Sequence, residues 1–514
     1  MKINNERGSL LVMTLLLVAV LLTLGSAFVA MSMAESRIAE RERRSVIAFH
    51  IAEAGIARAV YDLREDFGND PSSPSWADGD INGNTLNLPD TTNFYAMPYV
   101  GTTLNGGSYS VQVKKETADG RGISMRATGT LGDASETIQV YAKMTSVSPW
   151  DNAIFAGTGS DPGTGATTIA GCVNISGSVH ILGTGLSSTD YAVELGGTAE
   201  LIGNNYSALA ADLRRRLPAL PTTVYNGETV ETLSAILRVK HGLVGLDGNS
   251  SVGTTNVPGN SVKETADAVY STDGFTGNSG IANVYSDNGW SNAYDMGDDI
   301  SFPSLSDPYG GYASYQQYLR DNAYVISAPA DLALLSNITA ASSFTLTDAG
   351  GKGSISMDGS GHLTVDGIIY VEGGNMSFGG GSAIVYTGKA SILVTGNISV
   401  NADLVTPAVP IGGEHNFPYV PSTGVENIIG FMTPNNIALG TSSQLDVMGL
   451  FYGENKISIN KQTDLIGSIV TNFFDLTGQV PNIYQVPEAK NYLPPGMIGS
   501  TGGWNMALLS WQRI

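Results

Sequence analysis

In DGDINGN (78–84), oxygen-bearing side chains recur at the spacing of a cation loop. Asp78, Asp80, Asn82 and Asn84 take alternate positions, and Gly83 stands where a calcium loop turns sharply. Carboxylate and amide oxygens are the hard ligands Ca2+ prefers. The twelfth position, which would supply a bidentate glutamate, is Pro89, and Asp90 comes one place late. A turn rich in Asp and Asn accounts for the same residues without an ion, because these side chains bond their own backbone. Ca2+ is thus the one cofactor the sequence raises, and a plain turn is the favoured reading.

Other chemistry is sparse. His50, His180, His241, His362 and His415 lie far apart, with no metal-ligand spacing among them. His180 and His362 sit in apolar–glycine runs and read as rung or loop residues. No HExxH, GxSxG or GxxxxGK[ST] pattern occurs, and TGKAS (387–391) lacks the upstream glycine of a phosphate loop. Cys172 is the single cysteine, so neither an internal disulfide nor a thiolate metal cluster can form. The acidic DNGWSNAYDMGDD (287–299) reads as a solvated loop. No catalytic residue is assigned, and a non-enzyme is expected.

The elements that must carry these residues change along the chain. No charge interrupts the sequence between Arg7 and Glu35. As a helix that run spans roughly 40 Å, more than the ~30 Å hydrocarbon core of a bilayer and too long for a secretory signal. It continues without a turn signal into a stripe of Ser45, Phe49, Ala52, Ile56, Ala59 and Leu63, spaced four and three apart, with Gly68 near the end. One helix over 9–67 is expected, with 9–34 in the membrane and the rest amphipathic outside it. Arg37, Arg41, Arg43 and Arg44 follow the span, against the usual positive-inside bias, so charge alone does not orient it.

After a Pro/Asp/Asn/Gly-rich loop come SYSVQV, ISMRATG and TIQVYAKM, each alternating with one apolar face. They predict a small antiparallel sheet within 68–148, laid on the striped helix. From 149 to 495 short apolar runs recur between glycines. IIYVEGGNMSF (368–378), IVYTGKASILV (384–394) and LFYGENKISIN (450–460) share an apolar pair, a tyrosine, a turn and a second apolar pair. The first two lie 16 residues apart, close to one coil of a β-solenoid. The fold class expected is an α+β N-terminal part followed by an all-β, solenoid-like domain with helical inserts at NYSALAADLRRRLPAL and SDPYGGYASYQQYLRDN; a β-sandwich is the rival. Residues 496–514 are expected to form a tail.

Charge narrows the partners. Net charge is −21, yet residues 1–66 carry eight basic and eight acidic side chains, leaving 18 basic against 39 acidic beyond them. A body of that sign repels nucleic acid and anionic lipid. No nucleic-acid partner is expected.

A short polar leader ending in Gly8, then SLLVMTLLLVAVLL, then AFHIAEAGIARA, resembles the PilX-type minor pilins of type IV pilus machinery, over residues 4–66. The ending, with SW before Arg513, is also similar to such proteins with large β-rich bodies. The resemblance implies removal of the leader 1–8 by a prepilin peptidase at the cytoplasmic face of the inner membrane. It further implies methylation of the new Ser9 amine, packing of the stem against other pilins or pseudopilins, and an extracytoplasmic body. Two residues depart from major pilins: Ser9 stands where phenylalanine or methionine begins the mature chain, and Met13 where its fifth residue is glutamate. The expected function is a structural minor pilin that initiates or caps assembly and presents its β-rich head at the cell surface. A type II secretion tip pseudopilin and a pilus-borne adhesin or glycan-binding head are the alternatives.

Overall fold

A computed structural model of the chain describes residues 6–69, 80–81, 84–116, 122–146, 148–160, 168–169, 171–296, 300–441, 444–476, 481–499 and 504–514. Two compact units emerge: residues 1–145 with 504–514, and residues 146–503. The second unit is therefore inserted, in sequence, between two parts of the first.

The first unit is built on α1 (Glu6–Asn69), a single helix of 64 residues. Of the periodic stripe, Ala52, Ile56, Ala59 and Leu63 are buried and Ser45 and Phe49 partly so, with Ala48 buried beside them, while Val46 and Tyr61 on the other side are exposed. They pack on β1 (Gly107–Lys115), β2 (Gly122–Leu131) and β3 (Ala134–Ser146), joined antiparallel in sequence order. Val113, Met125 and Val140 stand in register across the inner face and are fully buried. Burying a side chain of this kind is worth about 1.5–3 kcal/mol. The Gly106 and Gly132 turns have positive φ, which only glycine takes easily. Three strands are expected from the sequence and the sheet has six: Tyr95–Ala96 and Thr103–Leu104 pair with β1, and Trp504–Arg513 pairs with β3. From Trp504 onward the expected tail is thus a strand of the first unit. Its partner lies so far back in the chain that local pattern could not pair them.

The second unit is all-β apart from short helices. Parallel neighbours run through β8 (His362–Val371), β9 (Ile384–Val394), β10 (Ile428–Thr433), β11 (Leu445–Ile459) and β12 (Thr463–Asp475). They continue through β4 (Ile154–Ser160), β5 (Val179–Ile181), β6 (Ile236–Val239) and β7 (Ala268–Ser271). The two halves of the unit therefore meet where β12 lies beside β4. Strands such as IIGFMT (428–433) are buried on both faces, as sheets of parallel strands require. One face is covered by the chain around Phe302, whose ring stacks on Phe155 and Tyr452. The Tyr452 hydroxyl donates to the Pro303 carbonyl at 2.7 Å. The expected 16-residue step is not the step of this stack: Tyr370 lies opposite Leu393, and Tyr386 opposite Leu363. The two similar segments enter their strands at different points, so their tyrosines never align. Of the expected helical inserts, the first gives one turn, α2 (Ala211–Arg214), and the second gives α3 (Tyr315–Asn322), capped by the Ser314 hydroxyl.

Candidate functional site

Along the stem, Leu11, Met13, Leu15 and Phe28 are each about 70% exposed. A soluble monomer does not present a continuous apolar surface of this length to water; it calls for lipid or other helices. Three of its hydroxyls bond back to the helix itself. Thr14 donates to the Leu11 carbonyl (2.9 Å), Thr23 to Val20 (2.8 Å) and Ser26 to Thr23 (2.8 Å), so these three present little polar surface to hydrocarbon.

Just past the apolar run, Glu40 accepts from Arg43 and Arg44, both at 2.9 Å, and Arg44 reaches Asp133 at 3.1 Å. The hydrogen bonds from Arg43 and Arg44 hold the Glu40 carboxyl down at about 2. Higher up, helix and sheet meet backbone to backbone. A Cβ on Gly129 would fall 2.1 Å from the Ala48 carbonyl oxygen and 2.5 Å from the Ala52 nitrogen, so no side chain fits there. Gly55, the glycine of AEAG, faces the Tyr109 ring, and Arg58 donates to the Tyr109 hydroxyl at 2.9 Å.

The C-terminal strand closes this junction. Glu136 accepts from Arg513 Nε (2.8 Å) and Nη2 (2.6 Å) and from the Ser45 hydroxyl. Arg513 first, then Ser45, hold its carboxyl below the usual carboxylate range. Trp511 meets Phe49 edge-on at 5.5 Å. Helix, sheet and C-terminal strand are thereby tied through one carboxylate.

In the second unit a cleft of about 430 Å3 is lined by Asp403, Asp446, Asp464, Asn482, Gln444 and Gln462. Asp446 lies opposite Asp464, and Asp464 opposite Asn482. Burial, then the charges of Asp403 and Asp464, push the Asp446 carboxyl up to about 6, and burial raises Asp464. The sequence reading missed this cleft, although QLDVMG (444–449) and QTDLIG (462–467) repeat at 18 residues and carry its signal.

Residues 7–57 match a family model described as PilX N-terminal. The stem is thus similar to the N-terminal part of PilX-type proteins. Among solved structures, the chain is similar to the competence-associated pilin ComZ from Thermus thermophilus. The identity is 19% and the TM-score 0.54, covering 92% of this chain and 97% of that one. At that identity the likeness speaks for the fold. No curated protein sequence matches.

Gly8 and Ser9 lie within the backbone of α1, and their side chains fall outside the described residues. Of the calcium-loop residues, Asp78 and Asn82 are not among the described residues. Asp80 and Asn84 belong to a two-residue hairpin, Asp80 opposite Thr85 and Ile81 opposite Asn84, with side chains likewise outside. Among the described residues, no group of three or more His, Cys, Asp or Glu could share a metal ion. His180 sits on β5, buried, its Nε2 hydrogen-bonded to the Tyr294 hydroxyl, and burial holds it down at about 3. His362 is exposed at the start of β8, with Nδ1 2.7 Å from Asp358. Over its described residues, 287–296, the segment is a largely exposed loop, with two of its carboxylates engaged. Asp287 pairs with the buried Lys263 at 2.6 Å, and Asp295 with Arg238 at 3.1 Å, because this stretch lies along the face of the parallel stack.

Proposed function

We propose that this chain is a rare subunit of a type IV pilus, placed at the tip or in a membrane-bound initiating complex, where it carries a solenoid-like β body outward from the inner membrane. The observation that carries this is the exposed apolar stem running without a break into a helix locked beneath the sheet. Such a stem is built to be covered by lipid and then by neighbouring pilin stems. Prepilin peptidase removes Met1–Gly8, and the Ser9 amine becomes the methylated mature end.

Met13 sets the position. A carboxylate at this place would pair with a neighbour's terminal amine inside an apolar bundle, where an unpaired charge costs several kcal/mol. Met13 offers no carboxylate, so the stem suits a place where no earlier subunit must be matched. The bulk of residues 146–503 argues the same way, since one such body at every step would crowd a fibre. The Thermus protein is named as competence-associated, which makes a competence pilus one setting for the test. The β body is the part free to serve adhesion.

Quantitative mass spectrometry of sheared fibres should find this chain far below the major subunit, with Ser9 at its end, and Gly8→Ala should leave Met1 in place. Equal abundance with the major subunit, or a mature end beyond Ala34, would overturn the placement.

A further inference from the structure

We infer that Arg37 and Arg41 form a docking face for the phosphates of anionic lipid headgroups, at the outer end of the membrane span. Arg37, Arg41 and Arg44 are spaced four and three apart and therefore share one side of α1. That side continues the stripe of Ala48, Ala52 and Gly55, which the sheet covers further up. Below the sheet the same side is cationic. Glu35 and Glu42 fall on the opposite side of the helix.

Arg44 is engaged by Glu40 and Asp133, and Arg43 by Glu40. Arg37 and Arg41 are exposed and pair with no carboxylate among the described residues; Arg41 only adds to the field that lowers Asp133. Ile38 between them is 56% exposed, an apolar flank suited to the membrane boundary. Depth favours lipid over a neighbouring protein. With the apolar run ending at Ala34, Arg37 stands about 5 Å and Arg41 about 10 Å above it along the helix, which reaches the headgroup layer. Guanidinium forks match phosphate oxygens in pairs. The acidic body and this collar thus act oppositely: the first repels an anionic surface, the second holds the stem to it.

Arg37 and Arg41 reach headgroups only if residues 9–34 span the membrane as proposed above; leader processing and pilus position do not enter. The full chain in neutral detergent micelles, doped with phosphatidylglycerol or phosphatidylcholine, should retain phosphatidylglycerol preferentially by native mass spectrometry. Arg37→Gln with Arg41→Gln should lose that preference by about five-fold per arginine. Arg320→Gln, which changes an exposed arginine paired with Glu372, should keep it. Unchanged helicity by circular dichroism separates loss of the site from loss of the fold. Inorganic phosphate should not compete, since the headgroup must be presented by a lipid. Equal retention of both lipids by the unaltered chain, or an unaffected preference in the double variant, would overturn the inference. A double variant that keeps the lipid preference but no longer co-assembles with other pilins would assign the face to a neighbour's carboxylates instead. A chain that fails to insert in bilayers at all would refute the span itself.

Discussion

Two polar stacks run along the β body, one of amides and one of carboxylates. In the first, Asn375 accepts from the Asn397 backbone nitrogen at 2.8 Å, Asn397 from that of Asn436 at 3.2 Å, and the Asn455 amide donates to Asn436 at 2.8 Å. Each asparagine can donate and accept, so a stack of them satisfies itself rung by rung. In the second, Asp403, Asp446 and Asp464 crowd one cleft; Asp403 accepts from the Asp446 backbone nitrogen at 3.0 Å, and Asn482 donates to Asp464 at 2.7 Å. Ionised carboxylates only accept, and like charges on facing strands repel. The same rung geometry is therefore uncharged with amides and sets like charges against each other with carboxylates, and burial first, then the Asp403 and Asp464 charges, raise the Asp446 pKa.

The largest expected effect comes from breaking the spacing both stacks depend on. A Cβ on Gly467 would fall 1.9 Å from the Gly449 carbonyl oxygen, at a φ of +142°. Gly467→Ala should destabilise the body by about 3 kcal/mol or more. Gly396→Ala, beside the amide stack, would place its Cβ 2.3 Å from the Gly374 oxygen and should act in the same direction. Thermal melting of the two variants tests this, and an unshifted Gly467→Ala midpoint would show that the rungs can part there.

Next comes pH. Asp446 titrates at about 6 in the fold, against about 3.9 for a free aspartate. The folded form thus binds this proton more tightly. The stability from Asp446 is full below about pH 4 and is lost as pH rises through about 6. Asp446→Asn removes that slope. It should raise stability by on the order of 1 kcal/mol near neutral pH, allowing for solvent screening at the cleft, and change little near pH 4. Denaturant melts at both pH values decide it; a gain equal at both would trace the effect to something other than charge.

The smallest effect is the converse change. Asn436→Asp places one charge in the amide stack and removes nothing the backbone needs, since Oδ1 still accepts from Asn455. A loss of about 0.5–1 kcal/mol at neutral pH, recovered in acid, is expected on melting. No loss at neutral pH would mean that solvent screens the stack completely.

Legibility in the sequence followed sequence distance. Val111, Met125 and Val140 announced their strands by local alternation, and their partners are the next strands along. The stripe from Ala52 to Leu63 likewise named its own face. The step of the parallel stack was hidden because the chain between rungs varies in length: His362 meets Val385, but Lys389 meets Ile428. Where the step becomes regular, from Asp446 to Asp464 to Asn482, the sequence repeats at the same step, through polar residues that drew no notice. The clamp of Ser45, Glu136 and Arg513 was beyond local reading altogether, being assembled from three distant stretches.

The strand at 504–513 also fixes an order of events. It follows the whole β body in the chain, yet it is an edge of the sheet that the stem supports. During synthesis the stem and β1–β3 emerge first and wait with the outer side of β3 unpaired, a template open to any other strand. Only a ribosome that has translated the body to its end supplies the segment that closes it. A chain cut short anywhere in residues 146–503 keeps an insertable stem but presents an open sheet edge. Completion of the first unit thereby reports that the second has been made in full.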